Sequence, residues 1–209
     1  MTADTDVHVI DDDEAVRESV EFLLRTAGLT VKTYESAAAF LDAAPGVSHG
    51  CVITDVRMPG LSGIDLLQRL KDMQAALPVI VITGHGDVPL AVDAMKFGAV
   101  DFLEKPFDDD VLLAAVRSAL DRSEASAARD TERADIRARI ATLTQRERDV
   151  LHGLVAGNPN KIIAFNLEIS PRTVEIYRAN VMTKMKAGSL SELVRMALSA
   201  GFTKSEAEG

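Results

Sequence analysis

The sequence predicts a parallel α/β domain followed by a small all-helical one. Three observations lead there. Up to about residue 121, five short apolar runs alternate with stretches of helical periodicity, the pattern of a parallel sheet covered on both faces. After Leu143 no strand-like run occurs. The charge also changes: residues 1–121 hold 9 Lys and Arg against 21 Asp and Glu, whereas residues 122–209 hold 14 against 11. An acidic half and a mildly basic half suit different partners, and only the second suits phosphates.

The strands are expected at 7–10 (VHVI), 30–34 (TVKTY), 51–54 (CVIT), 79–83 (VIVIT) and 101–104 (DFLE). The third lacks polar alternation, as a central strand buried on both faces should. After the first strand, Val16, Val20, Leu23, Leu24 and Ala27 keep the helix period, and Gly28 stands where a C-terminal cap belongs. Ala91, Ala94, Met95 and Gly98 repeat that arrangement, and Val111, Leu112, Ala115, Val116 and Ala119 form the last such stripe. Residues 122–142 are rich in helix formers but carry only Ile136 and Ile140 as sizeable apolar residues, which predicts a solvated helical linker. Four helical patterns follow. Thr144 with Glu147 is a capping-box pair, Gly157 suits a helix end, and Ser170-Pro171 is an N-cap followed by proline at the first helical position.

Lone Cys51 excludes an intramolecular disulfide, and four scattered histidines give no zinc spacing. The N-terminus lacks a basic start and a signal-like apolar core, and no run is long enough to cross a bilayer, so a soluble cytoplasmic chain without a membrane partner is expected.

Asp55 ends the central strand. It reads either as a turn residue before Pro59 and Gly60 or as a functional acid, because ligands of open α/β sheets bind at the carboxyl ends of the strands. The other strand ends favour the second reading. The first strand runs into Asp11 and Asp12, the fourth into Thr83, and the fifth into Lys105 before Pro106. Parallel strands deliver all of these to one edge. Converging acids repel, and a hard divalent cation such as Mg2+ relieves that repulsion through oxygen ligands.

With these residues the first domain, residues 5–121, resembles the receiver domain of two-component response regulators, the CheY-like fold. The resemblance implies a five-stranded parallel sheet in flavodoxin-like order 2-1-3-4-5 with helices on both faces. It implies that Asp55 is the phospho-acceptor, Asp12 a direct Mg2+ ligand, Asp11 a ligand through water and Arg57 a ligand through its backbone carbonyl. Thr83 would bind a phosphoryl oxygen and Lys105 would pair with the phosphoryl charge, aimed by a cis bond before Pro106. Phe102 stands at the switching aromatic position, and Val92 and Lys96 on the surface through which phosphorylated receivers dimerise. The implied protein is a regulator rather than an enzyme, whose only chemistry is its own phosphotransfer. Hydrolases with an aspartyl nucleophile place a second Asp two residues on, where this chain has Arg57. A receiver serving as a phosphorylation-independent docking module is the functional alternative.

In the helix beginning at Pro171, placing Val174, Val181 and Met185 toward a core puts Arg172, Glu175, Ile176, Ala179, Thr183 and Lys186 on the opposite face. Residues 143–204 resemble the LuxR/NarL type of helix-turn-helix. The implied DNA-facing set is Arg172, Thr173, Glu175, Ile176, Arg178, Ala179, Lys184 and Lys186. Two residues depart from the common pattern, Glu175 where many members carry Lys and Tyr177 where many carry His. Glu175 has two open readings: an acceptor for a cytosine amino group, or a partner of Arg172 or Arg178. The whole chain is similar to the FixJ group of these regulators. That implies an activator of nitrogen-fixation or microaerobic genes working as a phosphorylated homodimer on promoter DNA. Its partners would be a FixL-like sensor histidine kinase and RNA polymerase.

Overall fold

The computed structural model describes residues 6–84 and 88–202. The expected domain limits Thr5 and Lys204, and His85–Asp87 of the loop after the fourth strand, lie outside the described residues. The chain divides into two compact units, Met1–Ala127 and Ala128–Gly209.

In the first unit the strands are β1 (Val7–Ile10), β2 (Val31–Tyr34), β3 (Cys51–Asp55), β4 (Val79–Thr83) and β5 (Asp101–Glu104). They pair in parallel in the order β2-β1-β3-β4-β5, as the resemblance implied. The helices are α1 (Glu14–Thr26), α2 (Ala37–Ala43), α3 (Gly63–Asp72), α4 (Val88–Phe97) and α5 (Asp109–Ala141). Period-2 alternation sorts the buried strand residues into two cores. Val7, Val9, Cys51, Ile53, Ile80 and Ile82 pack with Leu24, Leu112 and Val116 of α1 and α5. Ile10, Val52, Val79 and Val81 pack with Phe40, Leu66, Leu70 and Ala94 of α2, α3 and α4. Burial, with Asp6 adding to it, pushes the Cys51 thiol up to about 12, so it stays protonated within the core.

His8 of β1 is an unexpected polar member of this interior. It is 3% exposed, packed against Tyr34 and Phe40, with Nδ1 3.3 Å from the Tyr34 hydroxyl. Burial, helped by Lys32 and His49, lowers its pKa to about 4, so the folded ring is neutral.

The second unit contains α6 (Gln145–Val155), α7 (Asn160–Asn166), α8 (Pro171–Met185) and α9 (Leu190–Ser199). Its core joins Val150, Leu151, Ile163, Val174, Val181, Met185 and Leu193. Gly157 has φ 76°, the left-handed conformation that ends α6. The segment expected as a helical linker is helical and exposed over most of residues 122–135. Residues 109–141 form one helix, and Ile136, 2% exposed, lies inside the core of the helical unit. Arg137 Nε donates to the Ala200 carbonyl and Arg139 Nη1 to the Met185 carbonyl, so the end of α5 satisfies orphan carbonyls at the ends of α9 and α8. Among the described residues no helix is long and apolar enough to cross a membrane.

Candidate functional site

Three strand ends build the first site. β3 carries Asp55 on its last residue, β1 is followed by Asp11, and β5 by Lys105 across one further peptide bond after Glu104. The Lys105 ammonium donates to Asp55 Oδ1 at 2.7 Å and to Asp11 Oδ2 at 2.8 Å. Asp55 Oδ2 accepts from the Arg57 backbone N–H at 2.6 Å, and Asp11 Oδ1 from that of Asp13 at 2.9 Å. The acids are therefore less unpartnered than their spacing in the sequence suggests, because one lysine bridges two of them. Burial opposes the charge on Lys105, but its hydrogen bonds to both carboxylates prevail and raise its pKa above the ordinary lysine value. The Lys105–Pro106 bond is cis.

Asp13, not Asp12, caps α1, its carboxylate accepting from Ala15 and Val16. That leaves Asp12 exposed on the wall of an open cavity of about 710 Å³, shared with Val56, Arg57, Met58, Ile64 and Leu90. Asp11, Asp12 and Asp55 against Lys105 leave a formal surplus of two negative charges, the charge of one divalent cation. Among the described residues no three acid, His or Cys side chains close into a ready cage. Mg2+ keeps several waters and takes one or two carboxylates. The donor set of Asp12, Asp55 and the Arg57 carbonyl is all hard oxygen and fits such an ion.

Gly63 was not singled out by its sequence, yet it shapes this site. Its N–H donates to the Val56 carbonyl at 3.0 Å, and a Cβ on it would collide with the Asp55 carbonyl oxygen. Only glycine lets the start of α3 lie this close to the strand that carries Asp55.

Thr83 is 1% exposed at the end of β4, and Phe102 is half-buried on β5. Phe102 pairs with Val81, two residues before Thr83, so both lie on the α4 side of the sheet. On α4, Val92 is exposed, and so is Met95, which the helical period had placed in the apolar stripe with Ala91 and Ala94. Lys96 pairs with Asp93 at 3.5 Å, with both side chains largely in water, a contact worth little.

The second candidate site is α8. Val174, Val181 and Met185 are fully buried, and Arg172, Glu175, Ile176, Ala179, Thr183 and Lys186 are exposed, as the helical period requires. Glu175 forms no ion pair with Arg172 or Arg178 among the described residues. Three of the expected DNA-facing residues are only partly exposed. The Thr173 hydroxyl lies 2.8 Å from Ser170 Oγ inside the N-cap of α8. Lys184 donates to Glu147 Oε2 at 2.6 Å, where that buried carboxylate also closes the capping box of α6 with Thr144. Bonding to Lys184 outweighs the burial penalty and holds Glu147 below the usual carboxylate range. Arg178 lies half-buried on the flank of α8, lining a cavity with Lys161 of α7.

Comparison with known proteins matches both regions. Residues 7–117 match the response regulator receiver domain, and residues 141–197 match the bacterial regulatory proteins of the luxR family. The transcriptional regulatory protein FixJ of Bradyrhizobium diazoefficiens is 59% identical over 202 residues, 97% of this chain and 98% of that protein. FixJ of Azorhizobium caulinodans is 62% identical over 200 residues, 96% of this chain and 95% of that protein. A crystal structure of full-length FixJ from B. japonicum, 58% identical, covers 96% of this chain and 98% of its own, with a TM-score of 0.59.

Proposed function

This chain belongs to the FixJ-like response regulators, two-component transcription regulators joining a receiver to a LuxR-type DNA-binding domain, and from that premise we propose that Asp55 accepts a phosphoryl group from a FixL-like sensor histidine kinase. The observation that carries the proposal is the Lys105 ammonium held between Asp55 and Asp11 beside an open cavity. An Asp55 carboxylate oxygen forms the new bond to phosphorus as the bond to the donor imidazole nitrogen breaks, and that nitrogen keeps the electron pair. Lys105 is poised to follow the negative charge onto the transferred oxygens, and Thr83 to donate its hydroxyl to one of them. Asp12, Asp55 and the Arg57 carbonyl would hold Mg2+, with Asp11 a ligand through water, and the ion would supply charge neutralisation.

In this reading the receiver occupies residues 5–121, the linker 122–142 and the DNA-binding domain 143–204, with Ile136 tying the end of the linker to the latter. Drawing Thr83 toward the phosphoryl group lets Phe102 turn inward, and the face with Val92 and Lys96 then forms a homodimer. Two copies of α8 enter successive major grooves, with Glu175, Ile176 and Ala179 facing base edges and Arg172 and Lys186 the backbone. RNA polymerase is recruited to nitrogen-fixation or microaerobic promoters.

The test is incubation of the full chain with acetyl phosphate and Mg2+. Wild type should gain one phosphoryl group and Asp55→Asn none, and chelation of the metal should abolish labelling. Equal labelling of Asp55→Asn would refute the acceptor. Absence of labelling alongside intact promoter binding would instead favour a docking module.

A further inference from the structure

Phe165 of α7 is 82% exposed and Ile162, three residues earlier, 46%. A single exposed apolar side chain is ordinary, but these two run into a pocket. Asp149, His152, Gly153 and Ala156 form one stripe of α6, and with Asn158 and with Ile163, Asn166 and Leu167 of α7 they line an open cavity of about 270 Å³. At about 100° per residue, Asn166 lies about 60° from the buried Ile163, Ile162 about 40° further round and Phe165 about 60° beyond that. The pocket and the two exposed side chains therefore form one continuous strip. The same period sets the α6 stripe about 160° from the mean direction of Val150, Leu151 and Leu154, which are buried in one core with Val174 and Val181 of α8. The strip opens away from α8, so a chain seated on DNA through α8 leaves it free.

The chemistry of the pocket narrows its occupant. Its apolar lining comes from Ala156, Ile163 and Leu167, and its polar groups are one carboxylate, one imidazole and two amides, with no Lys or Arg among the described residues. His152 is held by stacking on Phe202, ring centroids 4.1 Å apart. Asp149 Oδ1 accepts from Gln145 Nε2 at 2.9 Å, and among the described residues no cation pairs with this carboxylate. The flanking arginines are committed elsewhere, Arg146 to the Leu167 carbonyl and Arg148 to the Ala141 carbonyl. The cavity is smaller than those that enclose drug-sized ligands and suits one side chain. Apolar walls beside an unpaired carboxylate complement an arginine or lysine, whose methylene stem covers apolar surface while its charged head keeps a polar partner. Other occupants fit poorly. The Asp149 carboxylate repels DNA phosphates, and residues 1–121, with 21 Asp and Glu against 9 Lys and Arg, are acidic as well.

Resting on the reading that RNA polymerase is recruited, we propose that the α6–α7 strip docks a basic, apolar segment of a protein bound to the same duplex, the polymerase. An arginine or lysine of that segment enters the pocket against Asp149, and an apolar neighbour covers Ile162 and Phe165.

In the experiment the full chain, treated with acetyl phosphate and Mg2+, is bound to a promoter duplex carrying its selected site, and RNA polymerase holoenzyme of the same organism is titrated in. Wild type should tighten polymerase binding to the duplex. Asp149→Lys and Phe165→Ala should each weaken that ternary complex about tenfold, as loss of a central anchor does, and Asp149→Glu should preserve it. Duplex affinity, sedimentation and thermal midpoint of all three variants should match wild type. Unchanged polymerase binding with Asp149→Lys and Phe165→Ala, while wild type still tightens it, would overturn the docking strip and leave recruitment standing. Reduced duplex affinity in these variants would assign the strip to DNA, and reduced self-association would assign it to a second copy of the chain; either result overturns the proposal. No gain in polymerase binding from wild type on a duplex that it occupies would defeat the recruitment reading and the strip with it.

Discussion

Lys105 and Lys184 hold carboxylates at nearly the same distance, 2.7 Å to Asp55 and 2.6 Å to Glu147, and they do opposite jobs. Around Lys105 the acids outnumber the ammonium, Asp12 is left exposed, and the site opens onto a cavity. Around Lys184 the balance closes: one ammonium meets one carboxylate, whose Oε2 also accepts from the N–H and hydroxyl of Thr144. A lysine–carboxylate contact is therefore not a functional signal by itself. Surplus charge and exposure set the first site apart, and one-to-one charge balance makes the second a fastener between α6 and α8.

The largest expected effect separates these two lysines. Lys184→Met strands a buried carboxylate and should destabilise the helical unit by up to about 3 kcal/mol, the lower end for a broken buried pair, because Lys184 itself is partly in water. Adding Glu147→Gln should recover most of the loss. Lys105→Met should cost the receiver less, with recovery on adding Mg2+, since the exposed Asp12 on the cavity wall admits a cation beside the acids. Denaturant melts followed separately in each unit check both outcomes, and equal losses unaffected by Mg2+ would erase the distinction.

Glycines at close approaches sharpen it. Gly63→Ala drives a Cβ into the Asp55 carbonyl, which is backbone of a central strand, and should cost about 2–3 kcal/mol together with slower phosphorylation. A Cβ on Gly153 of α6 would meet only the Ile163 side chain, at 2.6 Å. That chain can shift, and alanine gains about 1 kcal/mol of helix propensity, so Gly153→Ala should change stability by less than about 1 kcal/mol.

Acid should separate the units by degree. The folded pKa of His8 is lowered to about 4, so between the ordinary value of 6.5 and 4 the unfolded receiver binds a proton that the folded one does not. Stability from this group is complete above 6.5 and falls with pH at up to about 1.4 kcal/mol per unit, levelling below 4. Glu147 is depressed, so its contribution is present above its ordinary value of 4.5 and is lost as pH falls through the lower folded value. On acidification the receiver should weaken first, and His8→Leu should flatten its slope. Urea midpoints measured from pH 7 to 4 test the order.

The cluster at the strand ends was legible because topology alone assembles it: Asp11, Asp12, Asp55, Thr83 and Lys105 all stand at the carboxyl ends of parallel strands, and no long-range packing has to be guessed. The Lys184–Glu147 contact was not legible because the two lie 37 residues apart and only tertiary packing brings them together. Ile136 was recognised as apolar, but not the core that would receive it. Gly63 gave no periodic signal, since a close backbone approach is invisible until the layers are placed. Arg178 is different, because its position about 40° from Val174 follows from the helical period and sets it apart from the exposed face of Glu175, Ile176 and Ala179.

The central claim is that a phosphoryl group on Asp55 governs what α8 does on DNA. The direct measurement is equilibrium binding of the full chain to a duplex selected from random sequence by the acetyl-phosphate-treated protein, with wild type and Asp55→Asn compared before and after treatment. Treated wild type should bind at least about tenfold more tightly, a difference of about 1.4 kcal/mol, than both its untreated form and treated Asp55→Asn. Equal affinity of treated wild type, untreated wild type and Asp55→Asn would contradict the claim.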